Sequence, residues 1–405
     1  MKPRVVILGG AGAMGRITAT DFARTARGSV EVVIADRDLA PVANLDVTKV
    51  PVDVTDPADL RRVLDGAFAV IASLPYRFNV AMMHGALAAG AHYLDLGGLF
   101  HETRRQLELD EEFRRAGKMA ILGVGSAPGI INVLAVLAAC DLERVHEVHC
   151  LVGAVDRTRY RNAPPLGFGY AVDTLLDEFV LPSAVYRKGE FAMVPALAPS
   201  ERIAVHFPAP VGRLFVDTTL HSEVATLPLH FQSRGVSEVT FRQGFDREFM
   251  DKLLFLVRLG LADTPETRAS RNGAANGNGA PPPAGHDNPR KVLLDLLAGF
   301  PPATLVGKPA RYEVLRALVR GRYAGRTVEV HADCHAGPRA GWGIGPDIDT
   351  GSPPSIAVQL MLSGALPIRP GVWAPEQVLP PAEFARELER RGMKVTRRVR
   401  PARRR

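Results

Sequence analysis

An apolar run, Val5-Val6-Ile7-Leu8, leads into Gly10-Ala11-Gly12-Ala13-Met14-Gly15, and this junction constrains the fold more than any other stretch of the chain. A second apolar run, Val30-Glu31-Val32-Val33-Ile34-Ala35, ends on Asp36, 21 residues beyond Gly15. A strand, a glycine-rich turn, a helical stretch, a second strand and an acid at its tip together form the constellation of a dinucleotide-binding unit. Gly10 is expected to allow the tight turn out of the first strand. Gly12 has no side chain to hold the backbone off a pyrophosphate, and Gly15 lets the helix pack close to the strand. The helix, starting near Ala13, presents unpaired N–H groups and a partial positive charge to phosphate, with Ala11, Ala13 and Met14 completing the cradle. Asp36 would accept from the ribose hydroxyls of NAD and repel the extra phosphate of NADP. Arg37, one residue on, could hold that phosphate instead, so NAD is expected and NADP is the alternative. The plainer reading of these residues is a glycine-rich turn in an ordinary α/β domain.

With 405 residues the chain exceeds the roughly 250–300 at which single cores stop growing, so two domains are expected. A content of 46% hydrophobic and 23% charged residues excludes a disordered chain and is that of an ordinary globular protein. No uninterrupted apolar stretch approaches the roughly 18 residues needed to span a bilayer. No secretory signal peptide is expected ahead of the first strand. Cys140, Cys150 and Cys334 show no metal spacing and leave an odd thiol over, which fits reduced cysteines in a cytoplasmic protein.

The net charge of +7 raises the question of a nucleic-acid partner, but the excess is local. Residues 394–405 carry Lys394, Arg397, Arg398, Arg400, Arg403, Arg404 and Arg405 with no acid; setting these seven aside leaves 43 basic and 43 acidic residues. The charge belongs to a terminal tail, expected to be frayed and solvated, so no specific nucleic-acid partner is expected.

The first 125 residues alternate strand and helix, the pattern of a parallel sheet. Asp53 follows a strand at Val50–Val52, Pro57 opens a helix, and Ala67–Ala72 reads as a buried strand followed by a helix over Phe78–Ala89. His92–Leu94 is a short strand ending at Asp95, His101–Ala116 an amphipathic helix and Met119–Leu122 a further strand. Beyond residue 130 come a crossover helix, Ile130–Ala139, and β-rich runs starting at His146. Among them, Tyr312–Val319 and Thr327–Ala332 flank Gly321–Gly325 as a hairpin. The expected fold class is α/β: an N-terminal Rossmann, doubly wound parallel sheet with a second α+β domain of mixed or antiparallel sheet. The expected boundaries are 1–128 for the NAD(P)-binding domain and 129–350 for the substrate domain, with a flexible Gly/Asn/Pro-rich insertion at 264–290. Residues 351–393 would supply C-terminal helices packing back on the first domain, and 394–405 the basic tail.

At Gly123-Val-Gly-Ser-Ala-Pro-Gly-Ile-Ile-Asn132 the chain resembles the saccharopine dehydrogenase family, in which a G-x-x-P-G-I turn leads from the nucleotide-binding domain into a helix. Further likeness lies in Tyr93–Gly98, in Pro164–Phe168 before a helix ending Leu176–Phe179, in Thr240–Gly244 and in Gly371–Val378. The resemblance implies an NAD(P)-dependent oxidoreductase, nearest the lysine 6-dehydrogenase branch, which oxidises the ε-amine of lysine to a semialdehyde that cyclises. Saccharopine-forming members resemble one another in an acid immediately before the Pro-Gly, where this chain has Ala127; that departure counts against saccharopine as substrate.

Hydride transfer at an amine-bearing carbon needs a held nicotinamide, a base for the amine proton and a grip on the rest of the substrate. The loop Ser73-Leu74-Pro75 after the fourth strand, together with Asp53, is placed at the cofactor. Asp95 is the first candidate for a substrate ammonium or a proton shuttle, its alternative being a turn carboxylate before Gly97-Gly98. Tyr76 and His221 are further catalytic candidates; histidine titrates near neutrality, so His221 could serve as general acid or base, though a satisfied histidine inside a β domain is the commoner outcome. Arg77, Arg161 and Arg242 are candidate carboxylate clamps, with a structural role open for each. Asn79 reads as a helix cap. His146 and His149 lack further ligands, so no metal is expected.

The leading expectation is therefore an oxidoreductase acting on a small amine or amino acid, a homodimer by default, with no membrane partner. Reduction of an imine or enoyl group in specialised metabolism is the rival chemistry, and an NAD(P)-sensing regulator the non-enzymatic one.

Overall fold

The computed structural model describes residues 2–26, 28–163, 165–166, 172–268, 288–301, 303–339 and 347–401. Most of the insertion expected at 264–290, parts of the Pro164–Phe168 stretch and Arg403–Arg405 lie outside the described residues.

Six strands of the first domain come in chain order: β1 (Arg4–Leu8), β2 (Glu31–Asp36), β3 (Thr48–Pro51), β4 (Ala69–Ala72), β5 (His92–Asp95) and β6 (Met119–Ile121). Val5–Leu8 and Ala69–Ala72 are buried on both faces, as continuous apolar runs in a covered parallel sheet must be. The helices that cover them are α1 (Ala13–Thr25), α2 (Pro57–Leu64), α3 (Asn79–Ala88), α4 (Phe100–Leu107) and α5 (Asp110–Arg115). The single helix expected over His101–Ala116 is thus two. β1 pairs β2 on one side and β4 on the other, so the chain reverses its winding at β1. A ligand crevice forms where such a reversal leaves the strand C-termini open.

The parallel sheet has a seventh strand that the sequence reading did not foresee. A strand at Gly371–Trp373 adds in parallel to β6. It is tied to α5 by Val372 N–H donating to Asp110 Oδ1 at 2.8 Å. The C-terminal segment therefore completes the first sheet as well as supplying helices to it.

α6 (Ile130–Ala139) joins the domains. It is apolar around most of its circumference, and such a helix belongs in an interior. It packs across the second sheet, and one continuous apolar cluster runs from Ile7 and Ile34 through Ile131 and Leu134 to Leu315 and Val330. Among the described residues that second sheet has nine strands. Its central ladder is β7 (Arg144–Asp156), parallel to the strand Glu238–Gly244 and antiparallel to Arg311–Tyr323, which turns back as the strand Arg326–Ala336. The hairpin expected around Gly321–Gly325 is present and longer than its sequence signal.

The basic segment expected to fray is ordered instead. Lys394–Pro401 is an edge strand, paired antiparallel to Arg326–Ala336 with His335 opposite Lys394 and Val330 opposite Val399. Val395, Thr396 and Val399 supply β-forming residues among the arginines, and the paired backbone outweighs charge repulsion along an exposed edge. All three cysteines are free, and no helix among the described residues is long and apolar enough to cross a membrane.

Candidate active site

A cavity of about 550 Å³ opens over the C-terminal ends of β1, β4, β5 and β6. Four loops of the first domain form its floor: Gly12–Met14, Ser73–Tyr76, Leu96–Gly98 and Ser126–Pro128. The second domain closes it with side chains from β7, from α7 (Val172–Val180), from the strands at Glu238–Gly244 and Arg311–Tyr323, and from a short turn at Ile348–Gly351.

The glycine loop is built as a phosphate cradle, with one change of role. Gly9, not Gly10, takes the left-handed backbone of the turn (φ +71°), and a Cβ there would lie 2.4 Å from Ser73 O. A Cβ at Gly15 would meet Gly9 O at 2.4 Å, so α1 can approach the turn only with glycine at that position. Gly12 caps α1 without any side-chain hydrogen bond, leaving the first N–H groups open to an anion. Asp36, half-buried, accepts from Ala11 N–H at 3.0 Å and braces the loop from β2. Arg37 is exposed. These residues fit a dinucleotide. Ser73, Leu74 and Pro75 line the cavity, whereas Asp53 accepts from Thr55 N–H and Oγ1–H as a turn carboxylate outside it.

His221 lies in the cavity wall, 7% exposed. Its Nδ1 contacts Glu223 Oε2 at 2.5 Å and its Nε2 edge faces Glu178 Oε1 at 3.8 Å. The ring stacks on Phe241 at 3.9 Å. Burial alone would lower the imidazole, but the Glu223 and Glu178 carboxylates outweigh it and raise it above the ordinary histidine value. Gln243 Nε2 donates to Glu178 Oε2 at 2.5 Å, fixing that carboxylate. The arrangement is a proton acceptor with its charge compensated in advance.

Other candidates are placed elsewhere. Asp95 is fully buried and absent from the cavity wall: Oδ1 accepts from Gly97 N–H (2.8 Å) and Gly123 N–H (2.6 Å), and Oδ2 from Gln106 Nε2 (2.6 Å). Burial raises its carboxyl while those bonds pull it down. It ties the loops after β5 and β6 together and has no face for a substrate. Tyr76 lines the cavity, but its hydroxyl donates to Asp177 Oδ2 at 2.9 Å, and burial with the Asp177 charge raises it well above a free phenol. Asn79 donates to Gly97 O at 3.2 Å rather than capping α3.

None of the three clamp arginines reaches the cavity. Arg77 is exposed and pairs with Asp173 at 3.3 Å, and Arg161 lies on an exposed ribbon, Arg159–Arg161 against Thr304–Val306. Arg242 is buried against Glu201 and Thr240. Strand alternation explains the last: Phe241 and Gln243 face the cavity, so Arg242 faces away. The same alternation brings in Arg311 and Glu313, which the sequence reading missed, along with Asp347 and Asp349. Arg311 Nη1 sits 3.1 Å from Asp347 Oδ1. His149 binds Thr240 and Glu147 within the sheet.

Two family models account for the chain: the saccharopine dehydrogenase NADP binding domain over residues 5–121 and the saccharopine dehydrogenase C-terminal domain over residues 125–393. The protein belongs to the saccharopine dehydrogenase family. It shares its fold with apo saccharopine dehydrogenase (L-Glu forming) from Saccharomyces cerevisiae (18% identity, 98% of this chain and 100% of that chain, TM-score 0.71). It is similar also to a homospermidine synthase from Legionella pneumophila solved in complex with NAD (12% identity, 99% and 92% covered, TM-score 0.69). At these identities the likeness speaks to fold.

In this family member the turn Gly123–Gly129 is packed so tightly that a Cβ at Gly97 or Gly123 would strike Pro128, at 2.3 and 2.6 Å. Asp95 bonds the same two segments together, so Tyr93–Gly98 and Gly123–Gly129 form one joint. Asp95→Asn is therefore expected to lose about 1–2 kcal/mol of unfolding free energy, as charge-assisted bonds become neutral ones while Gln106 turns its amide to accept from the new donor. Turnover should stay within a few-fold of wild type. Denaturant unfolding and initial rates check both, and loss of turnover with unchanged stability would return Asp95 to the chemistry.

Proposed function

We propose that this protein is an NAD-preferring dehydrogenase that oxidises an amine-bearing carbon of a cationic substrate, with L-lysine 6-dehydrogenase the nearest activity. The observation that carries this reading is His221. It stands in the cavity beyond the glycine loop, backed by Glu223 and facing Glu178. A bound nicotinamide supplies the hydride acceptor. The protein's own residues supply the rest. An ammonium carbon cannot release hydride until its nitrogen is neutral, and His221, an imidazole in the cavity wall, takes that proton. Glu223 and Glu178 stabilise the imidazolium so formed. Phe241 holds the ring plane, and Val152, Phe241 and Phe245 give the substrate stem an apolar wall.

Charge supports the amine. Among the described residues, Glu178, Glu313, Asp347 and Asp349 line the cavity against Arg311 and His221. Ala127, which lines the floor, offers no carboxyl, in keeping with a primary amine rather than saccharopine. Arg311 takes the clamp role first given to Arg77, Arg161 and Arg242.

The test is absorbance of reduced nicotinamide on mixing the protein with lysine, ornithine and simple diamines and either NAD or NADP. Turnover with an amine is expected; turnover only of an imine or enone would replace this reading with the reductase one. The cofactor preference rests on Asp36, whose carboxylate repels a 2′-phosphate. Asp36→Ser is expected to shift the ratio of kcat/KM for NADP over NAD upward by about tenfold or more, equivalent to roughly 1.4 kcal/mol. An unchanged ratio would assign discrimination to Arg37.

A further inference from the structure

We infer that an apolar chamber beside the catalytic cavity holds a hydrocarbon tail of the substrate. Resting on the amine-oxidation reading above, this names the substrate class as a primary amine on an apolar chain, the ε-amino end of lysine without its zwitterionic head.

The chamber, about 840 Å³, is larger than the catalytic cavity and lies in the range of pockets that enclose a whole small-molecule ligand. Val172, Phe245 and Arg311 line both spaces, so the two adjoin at these side chains. Three helices supply the apolar wall: α7 through Leu175, Arg247–Leu259 through Phe249, and Pro289–Ala298 through Leu294 and Leu297. The rings of Phe245 and Phe249, 5.0 Å apart, carry an aromatic surface from the shared wall into the chamber.

The polar side chains that line it are engaged with the protein itself. Asp156 accepts from Thr158 N–H at 2.8 Å and from the Tyr160 hydroxyl at 3.2 Å. Asp246 caps its helix by accepting from Phe249 N–H at 3.0 Å, and Lys252 donates to Glu248 at 2.7 Å. Arg311 is held by Asp347 at 3.1 Å. A carboxylate or ammonium entering the chamber would give up its water without gaining a free partner among the described residues. A hydrocarbon chain gives up nothing and gains the hydrophobic free energy of each methylene removed from water.

The mouth points the same way. Tyr160 and Phe300 line the chamber yet are 42% and 43% exposed, an apolar patch at an opening of the kind that marks a ligand groove. The tail belongs to the substrate because the amine must stand at His221, and the wall leading away from it runs through Phe241 and Phe245 to the chamber.

The test is initial rates with NAD for pentylamine, hexylamine, octylamine and decylamine, alongside calorimetry of the full chain with NAD present. The ratio kcat/KM is expected to rise at each step, chiefly through KM. Decylamine should exceed pentylamine at least tenfold, below the ceiling of about fourfold per methylene that corresponds to roughly 0.8 kcal/mol for a buried CH₂. Ala298→Trp, at an exposed position on the chamber wall, fills the space and should cut the decylamine advantage to about twofold. A decylamine advantage unchanged in Ala298→Trp places the chain elsewhere and sinks the inference. Equal turnover of all four amines by the wild type, which needs no variant to fold, would overturn it too and leave amine oxidation standing. Decylamine bound at least tenfold tighter than pentylamine, with that preference lost in Ala298→Trp and no amine turned over, does the reverse.

Discussion

His221→Asn is expected to lower kcat/KM for amine oxidation by about 10² to 10⁴, the usual contribution of a positioned general base. Affinity for NAD should hardly move, since the cofactor cradle lies in the other domain. The variant separates a base from a packing residue because asparagine keeps a polar, planar side chain against Phe241 but takes up no proton. The pH profile is the sharper readout. Glu223 and Glu178 raise the His221 value, so below it the ring is an imidazolium and accepts nothing. Oxidation by the wild type should therefore climb with pH through a value above that of a free imidazole, about 6.5, and imine reduction should run in the opposite sense. In His221→Asn that limb should vanish. A variant with lower turnover but an unchanged limb would move the base elsewhere, with Glu178 the next group to test.

Arg391→Met is expected to cost about 3–5 kcal/mol of stability without touching the chemistry. Arg391 is 2% exposed and bonds Asp21 twice, at 2.7 Å through Nε and 2.8 Å through Nη2, while Nη1 reaches Glu387 at 2.6 Å. Asp21 is fully buried on α1, the helix that carries the phosphate cradle. Methionine fills much of the volume but leaves the carboxylate without its partner, and an uncompensated buried charge is what makes such breaks expensive. Urea midpoints measure the loss. The double variant Asp21→Leu with Arg391→Met should recover most of it, because no lone charge then remains. If the single variant unfolds at the wild-type midpoint, the pair is not what fastens the C-terminal helix Pro381–Arg390 to α1.

Legibility followed the range of the interactions. α6 was readable to the residue because Ile130–Ala139 follows directly on the Pro-Gly turn and is apolar but for Asn132. Lys394–Pro401 was misread because its arginines outvote its few β-branched residues until the edge of Arg326–Ala336 is there to pair with it. The strand Gly371–Trp373 is three residues long and has no pattern of its own; it exists because β6 offers an open edge. The Thr240–Gly244 motif points to Arg242, but the residues that reach the cavity are its neighbours Phe241 and Gln243, on the opposite face of the strand. Alternation along Arg311–Tyr323 was the one signal that could have paired Arg311 with Glu313 beforehand.

From sequence alone came the dinucleotide half of the molecule, since strand, turn, helix and acid lie within about thirty consecutive residues and each acts on its near neighbours. Tertiary structure alone decided the substrate half. The wall of the cavity draws on Glu178, His221, Glu313 and Asp349, positions far apart in the chain, and their meaning is a matter of burial and of which charges face each other. Asp95 shows the division most plainly. Its place after β5 was legible, but whether it met a substrate or three buried donors depended on the loop from β6 folding over it.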